Sequence, residues 1–147
     1  MHNLSDDSLS ALLVQVGRAH RSFAEAQLTP LGLYPGQEFV LLQLANQSAI
    51  AQSELAERMC VEAPTVTRSL QRLEKAGLVY RQADSEDGRI QRVHLTEQGA
   101  ALIQPLKNIW AELERTMLTD MSAAEQALFR RLLQQALSNL QQNQPHF

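Results

Sequence analysis

Cysteine is almost absent from this sequence, since Cys60 is the single one among 147 residues. One thiol excludes an intrachain disulfide, and it excludes every zinc site that needs two sulfur ligands from the same chain. The four histidines, at positions 2, 20, 94 and 146, are scattered, and no two of them are spaced four apart. We therefore expect no metal site.

Long hydrophobic runs are also missing. No apolar stretch approaches the ~20 residues needed to span a bilayer, and residues 1–7 lack the basic and apolar regions of a signal peptide. The sequence therefore predicts a cytoplasmic protein without a membrane partner. It also lacks a glycine-rich phosphate loop and a plausible nucleophile–base pair, so we expect neither enzymatic activity nor a cofactor.

Glycine, proline and aromatic residues are sparse, whereas leucine and glutamine are abundant. The chain has 6 Gly and 5 Pro, and 5 % of its residues are aromatic against 44 % hydrophobic. Few helix breakers and an ordinary apolar content favour a single, mainly α-helical domain over residues 1–147.

Charge is distributed unevenly along the chain. The net charge is −3, but residues 58–92 carry seven Arg or Lys against five acidic residues. That segment has a net charge of +2, so the rest of the chain carries −5. A basic middle in an acidic body is compatible with local binding to phosphate, and equally with an ordinary solvated surface.

Apolar residues recur at helical spacing through most of the chain. This periodicity predicts helices over 8–28, 52–59 and 63–76. A second helix should run from Pro35 to about Ala45, with its inward residues at Phe39, Val40, Leu42 and Leu44. A long helix should begin at Thr96, and Pro105 should bend it or delay its regular start. Ser122 and Glu125 have the spacing of a capping box, which predicts the start of a last helix.

Two short runs, 78–82 and 90–95, are rich in β-branched or aromatic residues and flank a turn-rich cluster at 84–88. They predict a β-hairpin. Two short helices followed directly by a hairpin form a winged helix-turn-helix, whose second helix enters the DNA major groove. We place this DNA-binding lobe at residues 33–95, with the helix-turn-helix at about 52–76 and the wing at about 78–95.

The second helix of this motif has two distinct faces. Val66, Leu70 and Leu73 share its inner side, and hydrogen-bond donors occupy its outer side. Arg68 is best placed to read a guanine, whereas Arg72 and Lys75 are expected to contact phosphates. The expected recognition-helix contacts are Pro64, Thr65, Thr67, Arg68, Gln71, Arg72 and Lys75. A solvated helix face is the alternative interpretation, and the adjoining hairpin favours DNA over it.

The hairpin tip supplies a second signal. Asp87 and Arg89 flank a glycine, so the carboxylate can brace the guanidinium by a charge-assisted hydrogen bond. A protruding arginine is attracted by the negative potential of a narrow minor groove. Asp87 and Arg89 are therefore the expected wing contacts.

The combined pattern resembles the MarR (multiple-antibiotic-resistance regulator) family of bacterial transcription factors. The similar stretches are Glu54-Leu55-Ala56, Pro64 to Arg68, Leu73 to Val79, Asp87-Gly88-Arg89 and Leu95-Thr96-Glu97-Gln98-Gly99. The resemblance implies a mainly α fold with a small β-hairpin wing, flanked by N- and C-terminal dimerisation helices at 8–28 and 97–141. Glu62 and Tyr34 depart from the family pattern, because each stands where a helix-capping residue is usual.

The resemblance also implies a function. Members bind pseudo-palindromic promoter DNA as homodimers, usually as repressors, and a small phenolic or anionic effector or oxidation releases them. An effector pocket is expected where the lobe meets the dimerisation helices. Its candidate residues are Arg18, His20, Tyr34, Phe39 and Trp110, although each could equally be a solvated or core side chain.

Two alternatives remain open at this point. Cys60 could make the protein an oxidant-sensing repressor, with Arg58 favouring a thiolate and Glu62 opposing it. We expect instead a buried, inert thiol. The winged helix could also serve protein–protein contacts within a helical dimer, an alternative that the acidic net charge supports.

Overall fold

The computed structural model describes residues 8–143. The expectation about a signal peptide, together with His2 and His146, lies outside these residues. Seven α-helices occur in the described chain, and their bounds are α1 Leu9–Leu28, α2 Gln37–Asn46, α3 Gln52–Met59, α4 Ala63–Lys75, α5 Glu97–Ala101, α6 Ile103–Met117 and α7 Ala123–Gln142. A short 3-10 helix, Thr29–Leu31, follows α1.

Three short strands form one antiparallel sheet. They are β1 Ile50–Ala51, β2 Val79–Ala83 and β3 Gln91–Leu95, in the spatial order β1-β3-β2. The expected hairpin is β2–β3, with Val79 opposite Leu95 and Ala83 opposite Gln91. The structure adds β1, where Ile50 pairs with Val93. The predicted fold class, mainly α with a small β wing, is confirmed.

The chain divides into two compact units, residues 1–113 and 114–147. The first contains the helix-turn-helix, the sheet and a continuous apolar core. Its fully buried side chains come from α1, α2, α3, α4, α6 and two strands: Leu28, Val40, Leu41, Leu44, Ile50, Leu55, Val66, Leu70, Leu73, Val93 and Leu106. Because elements so far apart in sequence share this core, it holds α3, α4 and the wing in fixed relative positions.

The region after the wing differs from the single long helix that the periodicity predicts. Thr96 caps α5, accepting a hydrogen bond from the Gly99 amide at 3.0 Å. The helix then breaks at Leu102, and Pro105 is the third residue of α6. The proline thus falls in the first turn of a new helix, where its missing N–H costs no intrahelical bond. Pro105 therefore delays the regular helix, as expected.

Gly99 is required by a close approach of two backbones. A Cβ at this position would lie 2.0 Å from the carbonyl oxygen of Leu78. Any larger residue would push α5 away from the start of β2.

The second predicted helix needs two corrections. It begins at Gln37 rather than Pro35, because Gly36 adopts a φ of 102° that a right-handed helix cannot contain. Phe39 is 45 % exposed, whereas Glu38 is buried among the apolar residues of α2. The buried face of α2 therefore contains Glu38 and Leu41 rather than Phe39 and Leu42, a shift of about one residue from the predicted face.

The first and last long helices match their predicted starts. Ser8 caps α1, and Ser122 with Glu125 forms the expected capping box at α7. Both helices leave large apolar side chains exposed, including Leu12 and Leu13 on α1 and Leu132 and Leu133 on α7. No helix within residues 8–143 is both long and apolar enough to cross a membrane.

Candidate nucleic-acid interface

A tight turn connects α3 to α4. Cys60 takes a left-handed conformation, with a φ of 52°, and its N–H donates to the carbonyl of Glu57 at 3.1 Å. The Val61 N–H donates to the carbonyl of Ala56 at 3.2 Å, so the turn also satisfies the end of α3. Glu62 then occupies the N-cap of α4, and its side chain makes no capping hydrogen bond within the described chain.

Helix α4 has the two faces that its sequence predicts. Val66, Leu70 and Leu73 are at most 1 % exposed. Six of the seven expected recognition-helix residues are exposed, namely Pro64, Thr65, Arg68, Gln71, Arg72 and Lys75. The seventh, Thr67, is half-buried. The outer face of α4 therefore offers two guanidiniums, an ammonium, an amide and a hydroxyl to a partner.

An ion pair connects the end of α4 to the wing. Arg81 of β2 donates from Nη2 to Glu74 Oε2 at 2.6 Å and from its backbone N–H to Glu74 Oε1 at 3.1 Å. These bonds lower the pKa of the Glu74 carboxyl, chiefly through the side-chain bond to Arg81. The carboxylate is thus held charged, and it links the end of α4 to the first strand of the hairpin. Sequence reasoning did not anticipate this contact.

Asp84 organises the loop of the hairpin. Its Oδ1 accepts the backbone N–H groups of Glu86 at 2.8 Å and Asp87 at 3.0 Å, and its Oδ2 pairs with Arg92. The bond to Arg92 is the main reason why the pKa of Asp84 is lowered to about 2. An ionised aspartate is therefore retained across the physiological pH range, and it fixes where the hairpin tip projects.

At the tip, Arg89 projects from a brace formed by Asp87. Asp87 Oδ1 accepts from Arg89 Nε and from the Arg89 backbone N–H, both at 3.1 Å. The side chain of Arg89 is nevertheless 92 % exposed, and it borders a cavity of about 390 Å³ shared with the first residues of α3 and α4. The structure thus brings the two expected wing residues together, with the cation facing outward.

The five candidate effector-pocket residues do not share one site. His20, Phe39 and Trp110 form an aromatic cluster, with ring centroids 5.4 Å apart for His20–Trp110 and 5.3 Å for Phe39–Trp110. Trp110 Nε1 is buried, and it has no hydrogen-bond partner among the described residues. Arg18 is exposed on α1.

Tyr34 belongs to a different site. It lines a cavity of about 430 Å³ together with Arg21, Arg68 and Arg72. The guanidinium of Arg72 lies 5.7 Å from the centre of the Tyr34 ring, within the range of a cation–π contact. Arg21, which the sequence did not single out, adds a third cation to this cavity. A ligand here would touch two of the expected DNA-contacting arginines.

Cys60 is exposed, so the expectation of a buried thiol is wrong. The physical reason is its place at the C-cap of α3, beyond the last buried turn of that helix. Its accessibility leaves reaction with an oxidant sterically open, and burial no longer argues for inertness.

Glu38 is a buried carboxyl that sequence reasoning missed. It is 2 % exposed, and its Oε2 accepts the N–H of Gly36 at 2.7 Å. Burial raises the pKa of Glu38, while its hydrogen bonds with backbone N–H groups and the charge of Arg21 oppose the rise. Gln37 similarly accepts the N–H of Tyr34 at 2.9 Å. Two side chains of α2 thus accept backbone N–H groups of the turn that leads into their own helix.

Comparison with known proteins indicates one family of transcription regulators. The family model described as "MarR family" matches residues 33–91. An HTH-type transcriptional repressor of Mycobacterium tuberculosis is 35 % identical over 133 residues, which are 89 % of this chain and 95 % of that protein. An uncharacterised HTH-type transcriptional regulator of Bacillus subtilis is 34 % identical over 131 residues, covering 84 % of this chain and 95 % of that protein.

Solved structures match over nearly the same length. The MepR–DNA complex of S. aureus is 27 % identical, with a TM-score of 0.85 over 90 % of this chain and 98 % of that one. A mutant MarR from E. coli complexed with operator DNA is also 27 % identical, with a TM-score of 0.83 over 92 % of this chain and 99 % of that one.

Proposed function

This chain belongs to the MarR family, and we propose on that basis that it is a DNA-binding transcription regulator that acts as a repressor. The observation that carries the proposal is the outer face of α4. Arg68, Arg72 and Lys75 are exposed there, while the inner face of the same helix is locked into the core. A helix so held can enter a major groove about 12 Å wide without rearrangement.

Two features support the assignment of roles within this surface. Arg68 lies in the first half of α4, the part of a recognition helix that contacts base edges, and arginine can bind guanine O6 and N7 as a fork. Arg89 extends from a loop fixed by Asp84 and Asp87, as a minor-groove contact requires. Two of the similar structures are complexes with DNA, which supports the same partner here.

We further propose that the active form is a homodimer. On α7, Leu128, Leu132, Leu133, Leu137 and Leu140 are between 41 % and 64 % exposed, and α1 exposes a similar row. Apolar rows of this size on two helices disfavour the isolated chain, at ~25 cal/mol per Å² of surface left in water. A second copy brings an identical surface, and a two-fold dimer fits a pseudo-palindromic site.

The place of an effector is supported by two separate observations. The cavity beside Tyr34 carries Arg21, Arg68 and Arg72, which suit a small anion. The aromatic cluster contains the unpaired N–H of Trp110, which suits a ligand with an acceptor oxygen. We propose the first as the effector site, because an anion bound to Arg68 and Arg72 would compete directly with DNA.

The experiment is selection of duplexes from a randomised pool, followed by band-shift titration of the selected duplex. Arg68→Ala should cost about 1–3 kcal/mol of binding free energy and relax the preference at one position in each half-site. Lys107→Ala is the matched control, since it removes one exposed positive charge from α6 and should leave both quantities unchanged. Failure to enrich any duplex would contradict DNA binding and favour the alternative of protein–protein contacts.

A further inference from the structure

Among the expected recognition-helix residues, Thr67 has a hydroxyl group that both donates and accepts a hydrogen bond within the described chain. Its hydroxyl donates to the carbonyl of Ala63 at 3.0 Å and accepts from Gln52 Nε2 at 2.8 Å. Gln52 is the first residue of α3, fifteen positions away in sequence. Contact between the two helices therefore fixes this side chain before any DNA arrives.

The direction of every hydrogen bond in this group follows from donor and acceptor chemistry. An arginine can only donate, so Arg81 Nη1, which lies 3.4 Å from Gln52, requires the amide oxygen to face it. The amide nitrogen must then face Thr67, and it too can only donate. The oxygen of Thr67 accepts that bond, so its single hydrogen is left for the Ala63 carbonyl.

The position of Arg81, the first donor in this series of hydrogen bonds, is fixed by an ion pair. Glu74 holds Arg81 through two bonds, at 2.6 Å and 3.1 Å. Glu74 lies near the end of α4, and Thr67 lies about two turns before it. The group thus runs from α4 through β2 and α3 back to α4, which makes reversal of the Gln52 amide unfavourable.

Thr67 consequently has no hydrogen-bond donor to offer to DNA. The remaining branch of its side chain is a methyl group, at a half-buried position on the helix beside exposed Arg68. In the major groove, thymine is the base that presents a methyl group, at C5. A methyl–methyl contact buries apolar surface and needs no donor.

We propose that Thr67 reads the C5-methyl of a thymine through its own methyl group, and that Gln52 is the positioning residue that fixes it. The inference rests on the proposed DNA-binding function. It assigns an apolar role to a residue whose type suggests hydrogen bonding, and it gives Gln52 a part in specificity without contact with a base.

The test uses a duplex selected by the unaltered protein, with each thymine replaced in turn by deoxyuridine. Uracil differs from thymine only in lacking the methyl group. One thymine in each half-site should show a loss of about fourfold in affinity per half-site, the value of one buried methyl group. Thr67→Val keeps the shape and the methyl, and it should retain this ratio. Thr67→Ser keeps the hydroxyl bonds and should bring the ratio close to one.

Gln52 is tested by a double-mutant cycle. Gln52→Ala should lower the thymine-to-uracil ratio of the unaltered protein, because the Thr67 side chain can then change rotamer. In the Thr67→Val background the same change should leave the ratio unaltered, because valine has no hydroxyl to position. A purely structural role would lower affinity for both duplexes equally and leave the ratio as it was.

The outcomes separate this inference from the function on which it rests. If no duplex is enriched, the proposed function itself fails. If a duplex is enriched but uracil is tolerated at every position, the methyl contact is refuted. If Thr67→Ser keeps the preference for thymine, or Thr67→Val loses it, another side chain reads the thymine methyl and the assignment to Thr67 is wrong.

Discussion

Helices α4 and α7 are both amphipathic, but among the residues that the structure describes only α4 has its apolar side chains buried. Val66, Leu70 and Leu73 of α4 are buried by α3, β2 and the rest of the first unit's core. None of the residues of α7, all of which the structure describes, is buried. The comparison teaches that helical periodicity identifies an apolar stripe, whereas the partner of that stripe depends on the whole fold.

The two helices therefore offer opposite chemistry to an outside partner. The apolar side of α4 is buried in the core, and its exposed side presents cations, which suits a polyanionic partner. Helix α7 presents leucines, and burying one leucine side chain stabilises an association by about 1.5–3 kcal/mol. A charged partner for α4 and an apolar partner for α7 are consistent with one dimer bound to one duplex.

The largest expected effect comes from breaking the apolar stripe of α7. Replacing Leu132 and Leu133 together by aspartate should abolish both dimerisation and DNA binding, because carboxylates cannot be buried unpaired in the dimer interface. The molar mass in solution, measured by light scattering at micromolar concentration, and a band shift on the selected duplex check the two losses.

The matched control carries the same two charges on the opposite side of α7. Ser138 and Gln142 have no leucine of the row three or four residues away along the helix, and their replacement by aspartate should leave the dimer intact. A stable, folded monomer of the unaltered protein at micromolar concentration would show that the stripe has another partner.

A smaller effect is expected from the wing. Arg89→Ala should weaken DNA binding, reduce the salt dependence by about one unit of slope for each wing, and blunt any preference for A·T flanks. Asp87→Ala should give a milder loss, since it removes the brace and keeps the cation. Salt titrations on operators with A·T-rich and G·C-rich flanks measure all three quantities.

Glu86→Ala is the control that separates bracing from simple charge. It removes one negative charge from the same loop, as Asp87→Ala does, but the Glu86 side chain is exposed and is not seen to bond to Arg89 in the described structure. Glu86→Ala should therefore strengthen binding slightly, whereas Asp87→Ala weakens it. If Arg89→Ala leaves affinity, salt slope and flank preference untouched, the hairpin is not a DNA-contacting wing.

The sequence predicts best those features that depend on residues close together in the chain. The boundaries of α3 and α4, the capping box at α7 and the Asp87–Arg89 brace depend on neighbours within a few residues, and the structure confirms them. Strand β1 has two residues, too few for any periodicity to detect. Its pairing with β3 depends on contacts formed only in the folded chain.

The elements that sequence reasoning missed depend on distant partners. The Gln52–Thr67 and Arg81–Gln52 bonds join residues 15 and 29 positions apart. The aromatic side chains of Tyr34 and Trp110 suggest walls of one pocket, but sequence cannot show their neighbours. Packing in the folded chain places Tyr34 beside Arg72 and Trp110 beside His20 and Phe39. Glu38 was missed because a charged residue at a helix start is ordinarily a solvated one.

The smallest expected effect concerns Glu38. This carboxyl is buried in the first unit, so the core around α4 is not uniformly apolar. Burial raises the pKa of this carboxyl above its ordinary value, so the folded protein binds the proton more tightly than the unfolded chain does. The folded state then binds more protons than the unfolded chain in the window between the two pKa values. The contribution of Glu38 to stability is therefore fully present below the unfolded pKa, and it is lost as the pH rises through the folded one.

Glu38→Gln removes this titration while keeping an oxygen that can accept the Gly36 N–H. The variant should be more stable than the unaltered protein at about pH 7. The difference should shrink as the pH falls through the folded pKa of Glu38, and it should have vanished below about pH 4.3, the ordinary pKa of a glutamate. Urea unfolding at one fixed protein concentration, repeated across this pH range, measures the difference. Glu57→Gln, at an exposed position of α3, is the matched control and should change stability little at any pH. If Glu38→Gln is instead less stable at neutral pH, the charged carboxylate is stabilising the start of α2, and its bond to Gly36 together with Arg21 outweighs the cost of burial.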